Sequence, residues 1–136
     1  MLARRSLCAA LTAGFLLSGF SAAVADETAQ KKKGGGLNYI QFDTLTATII
    51  RPNGRRGVMQ VDTGIDVPNA GLHQRAMLSQ PRLRAAYIQW LVSYAASLGP
   101  GQPPDADYMS LNLQRETDRA LGQPGAHLLL GAILVN

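Results

Sequence analysis

Apolar residues between Gln80 and Leu98 recur at helical spacing. Leu83, Tyr87, Trp90, Leu91, Tyr94 and Leu98 share one stripe, with Arg82, Gln89, Ser93 and Ser97 largely off it. The spacing predicts a helix whose core-facing side chains are Leu83, Tyr87, Trp90, Leu91 and Tyr94. Ser79 is placed to accept a bond from a first-turn amide, and Pro81 tolerates its missing N–H there. Gly99-Pro100 is expected to end the helix. A stripe carrying the only tryptophan and two of the four tyrosines needs an apolar partner surface. The segments on either side are patterned as strands.

In 37–50, Ile40 and Phe42 share one face whereas Leu45, Ala47 and Ile49 share the other. A long strand is therefore expected to bulge or bend near Asp43-Thr44. Asn53-Gly54 then signals a hairpin, because both residues accept positive φ at the centre of a turn. Across 57–67, Met59, Val61, Thr63, Ile65 and Val67 alternate with Gln60, Asp62, Gly64 and Asp66, which predicts a strand with one wet face. Asn69 is expected to cap a short helix over 70–78. Beyond the Gly/Pro-rich loop 99–104, Asp105 or Asp107 caps a further helix over 106–121, with Met109, Leu113, Ala120 and Leu121 on its apolar side and Gly122 as its stop. The run 126–135 is almost wholly apolar, which predicts a strand covered on both faces or central in a sheet. The order β-β-α-α-α-β defines an α+β fold with a small antiparallel or mixed sheet and helices on one side.

Composition changes this picture mainly at the N-terminus. The 136-residue chain is 46% hydrophobic and 16% charged, in keeping with one domain plus a removable segment. Its formal charge of +4 comes mostly from Arg4, Arg5 and Lys31 to Lys33; after Gly36, eight arginines face seven acidic residues. A basic nucleic-acid face is not indicated. Residues 1–25 have the anatomy of a signal peptide, with Arg4-Arg5, an uncharged run, and Ala23-Val24-Ala25 before Asp26. Arg4-Arg5-Ser6-Leu7 is twin-arginine-like. An uncleaved inner-membrane anchor is the competing reading, and either one places the remainder in the periplasm. Residues 26–36 read as a basic, glycine-rich linker, and 37–136 as the folded domain. The single cysteine, Cys8, lies in the signal, so a cleaved protein has no thiol chemistry.

Candidate chemistry is sparse. His73, expected exposed, and His127, expected at a partly buried strand edge, have no cysteine or carboxylate at zinc-ligand spacing, and no nucleophile elbow or phosphate loop is present. Asp62 and Asp66 share a strand face but are ~13 Å apart by the rise per residue, too far for a paired acid and base. Arg55 and Arg56 at the hairpin, and Arg82 and Arg84 in the first helical turn, are candidate interaction residues. The latter pair is placed where cations are slightly unfavourable. No catalytic residue, metal or cofactor is assigned. The residues by themselves define a small exported α+β domain and leave open small-molecule binding in a cleft between the sheet and the loop 99–104; a protein-interaction role is what the resemblance below implies.

Three stretches carry a family resemblance: Leu37 to Ala47, Gly54 to Val67 with its Gly-Arg-Arg-Gly-Val-Met-Gln-Val-Asp-Thr-Gly-Ile-Asp-Val run, and Pro81 to Ile88, followed by Asp118-Arg119-Ala120-Leu121 before the last strand. Together they resemble the periplasmic domain of the flagellar basal-body-associated FliL-type family. The resemblance implies a stomatin-like domain without enzymatic activity that associates with itself or with inner-membrane motor proteins. Family members carry a membrane helix where this chain has a segment that looks cleavable, and the loop 99–104 interrupts a region usually helical in the family.

Overall fold

The computed structural model describes residues 36–136, so the expectations for the signal segment and nearly all of the linker lie outside the described residues. The fold is α+β, a small antiparallel four-stranded sheet packed with three helices. The strands are β1 (Tyr39–Gln41), β2 (Leu45–Ile50), β3 (Arg56–Asp66) and β4 (His127–Val135). The helices are α1 (Ala70–Leu78), α2 (Gln80–Ser97) and α3 (Ala106–Leu121).

β3 is the central strand. β1 and β2 follow one another along one of its edges and β4 lies along the other, all antiparallel to it. The expected single strand over 37–50 is thus two, and the register explains the break. Gln41 opposes Gly64 and Leu45 opposes Val61, so four steps on one side meet three on the other. One extra residue flips the alternation, which lets Ile40, Phe42, Leu45, Ala47 and Ile49 all enter the same core. The Phe42 N–H donates to the Thr63 carbonyl at 3.0 Å across this bulge.

The β2–β3 turn differs in detail from the expectation. The Gly54 N–H donates to the Arg51 carbonyl (2.9 Å), so Pro52 and Asn53 occupy the centre and Gly54, at φ 77°, follows in the left-handed region. The proline ring presets the first central position, and this fixes the three-residue loop in preference to a turn centred on Asn53-Gly54.

Asn69 caps α1 through its side chain, accepting from the Leu72 N–H at 2.9 Å. Ser79, by contrast, makes no side-chain cap to α2. It is shared between two helices: its N–H bonds back into α1 and its carbonyl accepts the first intrahelical bond of α2 from Leu83, and the expected hydroxyl cap is not formed. α2 ends when Leu98 turns extended (φ −72°, ψ 130°), one residue before Gly99. α3 is capped by Asp105, whose carboxylate accepts from the Tyr108 N–H, and it closes on Gly122 at φ 76°.

α2 packs on β2, α3 on β4, and the two helices pack on each other, so both lie on one face of the sheet, with α1 packed against α2. Each presents an i, i+4 stripe to the core: Leu83, Tyr87, Leu91 and Ala95 from α2, and Met109, Leu113, Thr117 and Leu121 from α3. No helix among the described residues is long and apolar enough to cross a membrane.

Candidate interaction surface

Of the stripe residues anticipated for α2, Leu83, Tyr87 and Leu91 are fully buried, whereas Trp90 and Tyr94 are half-buried at the margin of the core. Tyr87 meets Phe42 edge-on, with ring centroids 5.3 Å apart. Its hydroxyl lies 2.6 Å from Thr117 Oγ1, which in turn donates to the Leu113 carbonyl, so Tyr87 is the donor of the first bond. Burial pushes the Tyr87 pKa up to about 12, with a small upward push from Asp118 and a downward one from the Thr117 bond. Trp90 stacks on Tyr94 (5.0 Å, 12°), and both lie near the exposed Tyr108 of α3. The Tyr94 hydroxyl accepts from the Asp105 N–H.

The histidines are reversed from expectation. His73 is half-buried, with its Nδ1 unpartnered, because α1 turns that face towards the rest of the domain; His127 is exposed because it begins an edge strand. Among the described residues no cluster of His, Cys, Asp or Glu could hold a metal ion. Arg55, Arg56, Arg82 and Arg84 are all exposed on separate parts of the fold, the hairpin and the start of α2, and do not form one patch. Asp62 and Asp66 lie half-buried on the sheet face away from the helices, where Asp62 accepts from the Thr44 hydroxyl at 2.7 Å.

The loop 99–104 does not wall a cleft with the sheet. The Gly101 N–H reaches the Ile50 carbonyl (3.2 Å), and a Cβ at Gly101 would meet the Pro52 ring at 2.8 Å, so the loop is closed down on the β2–β3 turn. An open groove of about 250 Å³ lies instead between α2 and α3, lined by Ala86, Gln89, Trp90, Ser93, Glu116 and Arg119. Its two charges already pair with each other at 2.8 Å.

The largest departure from the sequence reading is β4. The run expected to be covered on both faces or central is an edge strand, bonded among the described residues only to β3. Leu128 is buried under the helices and Leu130 and Ile133 half-buried, but Leu129 and Leu134 on the back of the sheet are 48% and 54% exposed. Val58 of β3 adds to this apolar back surface. Nothing charged lies between Arg119 and Asn136, so the edge lacks the lysines, prolines or inward charges that usually discourage strand pairing.

Gln114 of α3 fixes this strand in place, and the sequence reading gave it no role. Its amide nitrogen donates to the Ala126 carbonyl (2.8 Å) and to Asp118, and its oxygen accepts from the Leu128 N–H (2.7 Å). A glutamine on the edge of a helical stripe carries no periodic signal; only the distance to β4 reveals its part. No family profile and no curated protein matches the chain, so the family resemblance rests on the motifs alone.

Proposed function

We propose that this chain is a non-enzymatic, exported interaction module of the FliL type, acting on a membrane-associated assembly such as the flagellar motor. The observation that carries the reading is the uncharged β4 edge with Leu129 and Leu134 half-exposed beside Val58, an apolar surface of the kind that marks protein-binding sites. The signal-like segment supports a periplasmic location, and the motif runs support the family. A stomatin-like arrangement is part of the same proposal. Deletion of the gene is expected to impair swimming, with recovery on expression of the wild-type chain and not of Leu129→Lys/Leu134→Lys. Normal swimming after deletion would remove the motor role. Recovery of the chain from the cytoplasm alone would remove export.

The groove between α2 and α3 favours a second reading, a small periplasmic ligand resting against Trp90. At about 250 Å³ it is below the usual range for such sites. A thermal-shift screen with periplasmic metabolites separates the two, since a ligand of the native state raises the melting temperature.

A further inference from the structure

We infer that β4 pairs with β4 of a second copy of this chain, antiparallel, about a two-fold axis between Gly131 and Ala132. The inference rests on the reading of β4 as a protein-binding edge and names its occupant.

The backbone shows which groups of β4 are free. Asn136 and Val58 exchange both their N–H···O bonds, at 2.9 and 3.0 Å, so Asn136 points its backbone groups at β3. By alternation Leu134 does the same, while Ile133 and Val135 point outwards. At the other end of the strand, the Thr63 carbonyl is taken by Phe42 on the far side of β3, so Leu130, opposite Thr63, also points outwards. Leu128 agrees with this parity: its N–H goes to Gln114 and not to β3. Gln114 thereby covers the edge near Ala126 and Leu128, and among the described residues nothing pairs with the outward groups of Leu130 to Val135.

A bulge makes the strand symmetrical. Val61 opposes Ile133 and Thr63 opposes Leu130, so three steps on β4 meet two on β3, and the extra residue falls at Gly131-Ala132. Gly131 fits there because a Cβ would come within 3.1 Å of Asp62 Cβ. On either side of this point the faces mirror each other. Leu128 and Leu130 face the helices, as do Ile133 and Val135, whose partners in β3 are the buried Ile65, Thr63, Val61 and Met59; Leu129 and Leu134 face the back. A bulge commonly blunts an edge, but one at the centre restores the match when the strand is turned end for end. Antiparallel pairing then sets Leu130 against Ile133 and Leu129 against Leu134, each on a matching face, with the two smallest side chains at the axis and Gln114 closing the edge beyond them at Leu128. An extended peptide of arbitrary sequence has no reason to share that symmetry. The same rotation brings the end of β3 that carries Asp66 towards the partner's end that carries Arg56, which favours antiparallel over parallel docking. Three strand spacings of roughly 14 Å make this a weak, salt-sensitive bias.

The test uses the full chain. Light scattering at high micromolar concentration is expected to give twice the mass of one chain. In a Cys8→Ser background, Leu129→Cys/Leu134→Cys is expected to form an intermolecular disulfide on mild oxidation, because back-facing residues form the close, non-hydrogen-bonded pairs across such an interface. Leu129→Cys or Leu134→Cys alone is expected to give none, each thiol being about five residues from its own symmetry mate, roughly 16 Å. Leu129 and Leu134 are both exposed, so folding is not at issue. A monomeric wild type, a disulfide in either single variant equal to that of the double variant, or a dimeric wild type whose double variant does not cross-link would each overturn the inference. A monomeric wild type would leave the broader interaction reading standing, because that reading fails on swimming and export instead.

Discussion

Tyr87 is fully buried yet keeps its hydroxyl bonded, donating to Thr117, which passes its own proton to the Leu113 carbonyl. Burial raises its pKa from 10.0 to about 12. Between those values the unfolded chain loses the phenolic proton while the folded chain retains it. The contribution of Tyr87 is therefore complete below pH 10 and lost as the pH rises towards 12, at about 1.4 kcal/mol per unit. Tyr87→Phe is expected to cost about 1 kcal/mol at neutral pH and to flatten the alkaline decline, as read from urea melts at pH 8 and pH 11. Thr63 is the opposite case: its hydroxyl is buried and unpartnered. Thr63→Val keeps the shape and removes the unpaired group, so it is expected to stabilise by about 1 kcal/mol in the same melts. A destabilised Thr63→Val would show that the hydroxyl has a partner.

At the level of elements, the join between α3 and β4 depends on one side chain. Gln114 satisfies the Ala126 carbonyl and the Leu128 N–H, two backbone groups that β3 does not reach. Gln114→Ala is expected to cost about 2–3 kcal/mol, since both groups lose their partner together. The Leu128 amide is expected to lose hydrogen-exchange protection before β3 does, because an edge strand opens ahead of the central one. Uniform loss of protection across the sheet would show that β4 is held by packing alone. The two β-bulges belong to this scale too. The one between β1 and β2 brings a strand with switched faces into a single core, and the one in β4 keeps two apolar halves in register with β3.

For the whole molecule, a sheet with helices on one face leaves one broad surface and the free edges for partners. Self-pairing at β4 ties stability to concentration, because association stabilises only the native state. The melting temperature is expected to rise with protein concentration in the wild type and to be flat for Leu130→Pro, which removes an outward-pointing N–H without breaking a bond to β3. A concentration-independent wild type would argue against association through this edge. The periodic elements were legible from the chain alone: the limits of α1 and α3, the cap at Asn69, the stop at Gly122 and the kink near Asp43-Thr44 each depend on contacts a few residues apart, whereas the choice of Asp105 over Asp107 as the α3 cap needed the structure. Neighbourhood was settled only by the folded chain. A run of apolar residues such as 126–135 reads alike at the centre of a sheet and at its edge; the difference lies in which strands arrive beside it. Trp90 and Tyr94 likewise carry a core-like spacing, yet their burial depends on how closely α3 approaches. Gln114 and the free edge of β4 were invisible for the same reason, since hydrogen bonds between residues distant in the chain leave no period in the sequence.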